Sequence, residues 1–177
     1  MFEVNKTDRI NELISITKSD SGISGPELAT AHMELGKHLA QSFPEMTPED
    51  TTVVAMLRGG IFFAEGIYFQ LGCKFQLYDP KKDEFVRPET KNVILVDSVI
   101  NTGHTIKKIL QPDMLIASCV VNEQAAELFG NQLYTIRVSK NSFVGEYSNA
   151  IVHAFQKFKA PFSGKIVHIF PEQSAVI

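Results

Sequence analysis

Short, branched apolar runs alternate along this chain with stretches in which apolar residues recur at helical spacing. The runs predict strands at about 52–57, 74–79, 92–97, 114–121 and 132–138. A continuous run such as Val93-Ile94-Leu95-Val96 has the length and branching of a strand buried on both faces. Helical spacing predicts helices at 8–17, 61–71, 104–111 and 123–130, and one that starts near Pro26 with Leu28, Ala31, Leu35 and Leu39 on its apolar face. Loops fall at Ser19 to Gly25 and at Pro44 to Asp50. Glu146 to Lys159 reads as an amphipathic helix through Ile151, Val152, Phe155 and Phe158, and residues 164–177 match no pattern. Strand-helix alternation of this kind predicts an α/β fold: a mainly parallel twisted sheet with helices on both faces. Right-handed crossovers place the loops after strands 52–57 and 92–97 at the carboxyl ends of the sheet, where ligands bind in open α/β sheets.

Those two loops carry the chemistry. The strand 92–97 ends in Asp97, and Thr102-Gly103-His104-Thr105 then opens a helical pattern at Ile106. Loop N–H groups and a helix start favour an anion, and Gly103 lets the backbone come close to it. The Thr102 and Thr105 hydroxyls add hydrogen-bond donors. Asp97, one loop length away, accepts from sugar hydroxyls, so the pattern suits a ribose 5-phosphate better than a bare anion. The other loop is Arg58-Gly59-Gly60, with a cation and two glycines before an apolar helix. The competing explanation for both is an ordinary strand-to-helix turn.

The stretch from Val96 to Thr105 resembles the phosphoribosyl-diphosphate (PRPP) signature of type I phosphoribosyltransferases. It matches at the strand, at Asp97, Val99, Ile100, Thr102, Gly103 and Thr105. It departs at the second acidic position, which is Ser98. Uracil phosphoribosyltransferases also lack that acid, and the resemblance is nearest to proteins of that kind. It covers roughly residues 50 to 145. It implies the family fold with a small hood: one domain over 1–177, its core about 26–140 and the hood from about 1–25 and 141–177. It implies transfer of the 5-phosphoribosyl group from PRPP to a nucleobase, uracil first, with release of diphosphate in nucleotide salvage. Alternatives are a purine phosphoribosyltransferase and a non-catalytic PRPP-sensing or RNA-binding regulator on the same fold.

Carried onto this sequence, the resemblance makes Asp97 and Arg58 catalytic. It assigns PRPP to Arg58, Gly59, Gly60, Asp97, Ser98, Asn101, Thr102, Gly103, His104 and Thr105, with a non-proline cis peptide near Arg58-Gly59. Lys140, Phe143 and Val144 are its base-binding candidates. Phe143-Val144-Gly145 resembles the base turn of hypoxanthine-guanine phosphoribosyltransferases, whereas Leu133-Tyr134-Thr135 matches a tripeptide of the uracil enzymes. Mg²⁺ would arrive with PRPP, held mainly by ligand oxygens and reached by Asp97. The charged segment from Asp79 to Lys91 occupies the position of the family's mobile loop, where Lys81, Lys82 or Arg87 could reach the diphosphate. Family members commonly form homo-oligomers.

Composition narrows the partners. A net charge of −3 over 177 residues gives no global basic field for nucleic acid. No apolar run approaches the ~20 residues of a membrane span, and the opening residues lack the pattern of a signal peptide, so a cytoplasmic chain is expected. Cys73 and Cys119 sit in or beside apolar runs and read as reduced core thiols. His32 and His38 fall on the first long helix as surface or packing residues, and His153 and His168 have no evident partner. No His or Cys grouping has metal-ligand spacing.

Overall fold

The computed structural model describes residues 1–18 and 20–140. In chain order these form β1 (Phe2–Glu3), α1 (Asp8–Thr17), α2 (Gly25–Ala40), β2 (Thr51–Met56), α3 (Ile61–Leu71), β3 (Lys74–Tyr78), β4 (Asn92–Val96), β5 (Val99–Ile100), α4 (His104–Lys107), β6 (Leu115–Asn122), α5 (Glu123–Phe129) and β7 (Leu133–Ser139). Among the described residues the strands make one sheet in the order β1-β7-β6-β4-β2-β3, with β5 also on β6, and every pairing is parallel. This is the α/β class that the alternation of runs predicts.

Helices cover both faces. Ile10, Leu13 and Ile14 of α1, Leu35 and Leu39 of α2, and Phe63 and Ile67 of α3 pack on Val53, Ala55, Ile94 and Val96. Ile106, Ala125, Ala126 and Phe129 pack on the opposite side against Val54, Met56, Val93 and Leu95. Neighbouring residues of one strand thus enter different cores, which is why 53–56 of β2 and 93–96 of β4 are apolar without alternation. The N-terminal segment joins the first of these cores through Val4 and α1. Thr7 caps α1, accepting a hydrogen bond from Ile10 N at 3.3 Å.

Two glycines fix the helix that carries the Arg58 loop. A Cβ on Gly36 of α2 would lie 2.2 Å from the Phe63 carbonyl oxygen, and one on Gly66 of α3 would lie 2.0 Å from that of Met33. The two helices therefore cross backbone against backbone, and α3 has no room to slide. No helix among the described residues is long and apolar enough to cross a membrane. Cys73 and Cys119 are buried free thiols, as expected.

The predicted helix 104–111 ends earlier, at Lys107. Pro112 disfavours helical geometry at Gln111 before it, and the chain leaves through hydrogen bonds from Ile109 and Leu110 to Ile106 O. Two strands escaped the sequence pattern, β1 and β5. Each has two residues, too few to show a period.

Candidate active site

From β2 the chain moves outward to β3; from β4 it moves the other way, to β6 and β7. The reversal opens a crevice between β2 and β4 at their carboxyl ends, the place where open α/β sheets bind ligands. A cavity of about 660 Å³ lies there. Its walls are Met56 to Gly59 after β2, Asp79 to Lys82 after β3, Asp97, and Val99 to Ile106. The two loops read as anion sites thus share one cavity with a third segment.

Asp97 sits on a ladder rather than in a loop. Its N–H donates to Ala117 O at 3.1 Å, and Val120 N donates to Ser98 O at 3.0 Å. The β4–β6 and β5–β6 registers are the same, so β4 and β5 are one strand edge running past Asp97. The carboxylate lines the cavity and accepts from Val99 N at 3.4 Å. Removal from bulk water raises its pKa from 3.8 to about 7, with the N–H groups of Val99 and Ser98 opposing the shift.

Beyond β5 the loop turns through Gly103 at φ +71°, a conformation that favours glycine. A Cβ there would also lie 2.6 Å from the Phe129 ring, so the loop is seated on α5. His104 N donates to Thr102 Oγ1 at 3.5 Å. The N–H groups of Gly103 and Thr105 have no hydrogen-bond partner among the described residues. They remain available to an anion.

On the facing wall, the Leu57–Arg58 peptide is cis, one bond upstream of Arg58-Gly59. Arg58 is exposed and lines the cavity beside Gly59. Gly60 has a different task. It is not part of the lining, and its N–H already donates to Met56 O at 2.9 Å. A Cβ on it would lie 2.4 Å from Val96 O, so this glycine lets the loop press on β4. The expected anion-binding amide at Gly60 is therefore corrected to a packing position.

Ser98 departs from expectation too. It is fully buried, its Oγ has no partner, and it is not among the lining residues. The strand's alternation turns it away from Asp97. Lys140 lies exposed beyond the end of β7 and does not line the cavity. Phe143 and Val144 lie outside the described residues. Leu133-Tyr134-Thr135 is sheet interior: Leu133 and Thr135 are buried, and Tyr134 packs on Phe2 and Phe43. The tripeptide thus lies in a strand, β7, as the strand predicted at 132–138 implies. Arg87 is held by Asp113 and does not reach the cavity.

Lys81 and Lys82, with Asp79 before them, belong to the cavity. The sequence signal for this wall was the charged segment from Asp79 to Lys91, of which Lys81 and Lys82 line the cavity and Arg87 does not. Arg58, Lys81 and Lys82 form no ion pair among the described residues. Against these three cations the cavity has two carboxyls, Asp79 and Asp97, and burial disfavours the charged form of the latter. A chain that is acidic overall has made a locally electropositive pocket, which favours an anionic ligand.

No protein-family model matches the chain, and no curated protein matches it. Among solved structures it is similar to the AQ2163 protein of Aquifex aeolicus, with 15% identity and a TM-score of 0.65 over 85% of this chain and 97% of that one. Fainter likenesses are to orotate phosphoribosyltransferase of Aeropyrum pernix (21% identity, 64% of this chain and 70% of that one, TM-score 0.43) and to a purine phosphoribosyltransferase of Pyrococcus horikoshii (18%, 63% and 85%, TM-score 0.44). What the chain shares with the Aquifex protein, at that identity, is the fold.

Proposed function

We propose that this protein transfers the 5-phosphoribosyl group from PRPP to a nucleobase and releases diphosphate. The observation that carries the reading is the meeting of Asp97, the Thr102–Thr105 loop and Arg58 in one cavity at the sheet's switch point. Each part suits one portion of the ligand. The free N–H groups of Gly103 and Thr105, with the Thr102 and Thr105 hydroxyls, suit the 5-phosphate. Asp97 accepts from the ribose hydroxyls. Arg58 and the Gly59 amide face the diphosphate.

The donors present suit Mg²⁺, which prefers oxygen. Asp97 and Asp79 offer carboxylate oxygens, and the ligand's diphosphate and ribose oxygens would complete the shell. When bound, the ion neutralises charge on the leaving group.

In the reaction a base nitrogen forms its bond to the anomeric carbon while the bond to the diphosphate oxygen breaks, and the electron pair leaves with diphosphate. Positive charge builds on the ribose ring. Asp97, fixed by its ladder, holds the ring by its hydroxyls and offers negative charge to it. Arg58 takes up the negative charge that develops on the departing oxygen. Positioning and charge stabilisation by groups already in place carry the rate.

The test is diphosphate release from Mg²⁺-PRPP with uracil first, then hypoxanthine, guanine, xanthine, adenine and orotate. Release with one base and its loss in Asp97→Asn is the expected result. Release undiminished in Asp97→Asn would sink the reading. One observation favours a second, binding-only function: Ser98, where the family signature has a second acid, is buried away from the cavity. PRPP binding without release for any base would establish that alternative.

A further inference from the structure

We propose that α5 and the turn after it are the seat that holds the Thr102–Thr105 loop in its anion-binding shape, with Phe129 and Gln132 as positioning residues; this rests on the phosphoribosyl reading above. The need for a seat follows from length. The helix after the loop, α4, is only His104–Lys107. A single helical turn fixes many backbone angles for very few hydrogen bonds, so it does not hold itself. Its neighbours impose its shape.

One continuous segment supplies them at successive points. Before the loop, Ile100 pairs with Val121 of β6. Directly after β6, Asn122 Oδ1 accepts from Gln124 N at 3.0 Å and fixes the start of α5. Within the loop, Gly103 lies on the end of α5: a Cβ there would be 2.6 Å from Cζ and 2.9 Å from Cε2 of Phe129. Phe129 is buried in the core that also holds Ile106, Ala125 and Ala126, so the ring has no space to retreat. After α4, Gln132 Nε2 donates to Gln111 O at 2.8 Å and to Met114 O at 2.7 Å, with Pro112 O at 3.4 Å. The entrance, the turn and the exit of the loop are thus all fixed to residues 121–132. Neither Phe129 nor Gln132 lines the cavity. They act on the loop backbone and not on the ligand.

If ligand contacts alone set affinity, substituting either residue changes nothing. The seat predicts a loss, because apparent affinity falls with the fraction of molecules whose loop is already in shape. The experiment is calorimetric titration of the full chain with ribose 5-phosphate, on wild type, Phe129→Leu, Gln132→Ala and Val93→Ala. Hydrogen exchange is followed at the amides of Lys107 and Leu110, which donate to Gly103 O and Ile106 O. Val93→Ala thins the same core near the start of β4, at the end away from Asp97, and controls for lost stability alone. Phe129→Leu and Gln132→Ala are each expected to bind about tenfold more weakly, the scale of one hydrogen bond's worth of loop order. Their Lys107 and Leu110 amides should exchange faster than in wild type and regain protection at saturating ligand. Val93→Ala should keep wild-type affinity at a lower Tm. Unchanged affinity in both seat variants overturns the proposal, as does unchanged exchange at the two amides or an equal loss of affinity in Val93→Ala. Should Phe129→Leu fail to fold, Gln132→Ala, at a half-buried side chain, decides alone. A wild type that binds no ribose 5-phosphate overturns the phosphoribosyl reading itself.

Discussion

Replacing Asp97 with Asn removes a titration that the folded protein performs near neutral pH. The Asp97 carboxyl moves from 3.8 to about 7 on folding. Between those values the folded chain holds a proton that the unfolded chain has released. Stability therefore falls as pH rises through this window, and the loss is complete above about pH 7. At 1.36 kcal/mol per unit the full effect is ~4 kcal/mol, and water in the cavity brings the expected value to ~2 kcal/mol. His32 works in the opposite direction. Buried in α2 with neither ring nitrogen partnered, it moves from 6.5 down to about 4. Its contribution is whole above pH 6.5 and is lost as pH falls toward about 4. The two slopes oppose each other over most of the window, so wild type should look nearly flat there. Asp97→Asn exposes the His32 slope alone. Urea unfolding of both proteins from pH 4.5 to 8 should show the variant gaining on wild type as pH rises, by ~2 kcal/mol in all. Any cost of burying the new amide is independent of pH and cancels in that difference. Two parallel curves, with a constant gap, would refute the reasoning.

Other outcomes follow from the same geometry. With the nucleobase identified, kcat/KM for PRPP should rise through about pH 7 as Asp97 ionises in the free enzyme; a profile flat from pH 6 to 8 would remove Asp97 from that role. Gly60→Ala puts a methyl group 2.4 Å from Val96 O and 2.8 Å from Met56 O, neither of which can swing away. It should cost ~3 kcal/mol and lower Tm by roughly 6–12 °C in a thermal scan. Gly103→Ala combines a positive φ with the Phe129 ring, and should lower Tm by several degrees while abolishing calorimetric binding of ribose 5-phosphate.

What the sequence showed, it showed through period and composition. β2, β4, β6 and β7 lie within a residue or so of the predicted runs; in β2 and β4 the runs at 53–56 and 93–96 are apolar because both faces are buried, whereas β7 carries Arg137 and Ser139 at its less buried end. The Asp97 loop was legible because a strand, an acid, a glycine turn and a helix follow in order. Where partners decide, the sequence was silent. Gly59 and Gly60 are chemically identical, yet one faces the cavity and the other is pressed against Val96 O. Ser98 looked like a ligand because it stands in the motif, but strand alternation turns it inward. Asp97 read as a strand end because it is charged, while β6 in fact carries the ladder on to Ile100. Lys81 and Lys82 could not be told from a solvated loop until the turn at Asp79 was seen to hold them at the cavity.

The two-residue strand β1 has a consequence for the order of events. β1 pairs Phe2 and Glu3 with Tyr134 and Thr135, so one edge of the sheet joins opposite ends of the described chain. The ligand crevice needs only β2, β3, β4 and the strand beside them. During synthesis, at roughly 5–20 residues per second, the first residues wait on the order of ten seconds for their partner to emerge. Closing so long a loop is slow, and β1 adds few contacts to reward it. The pairing of β1 with β7 is therefore expected to form after the strands that frame the crevice are in place.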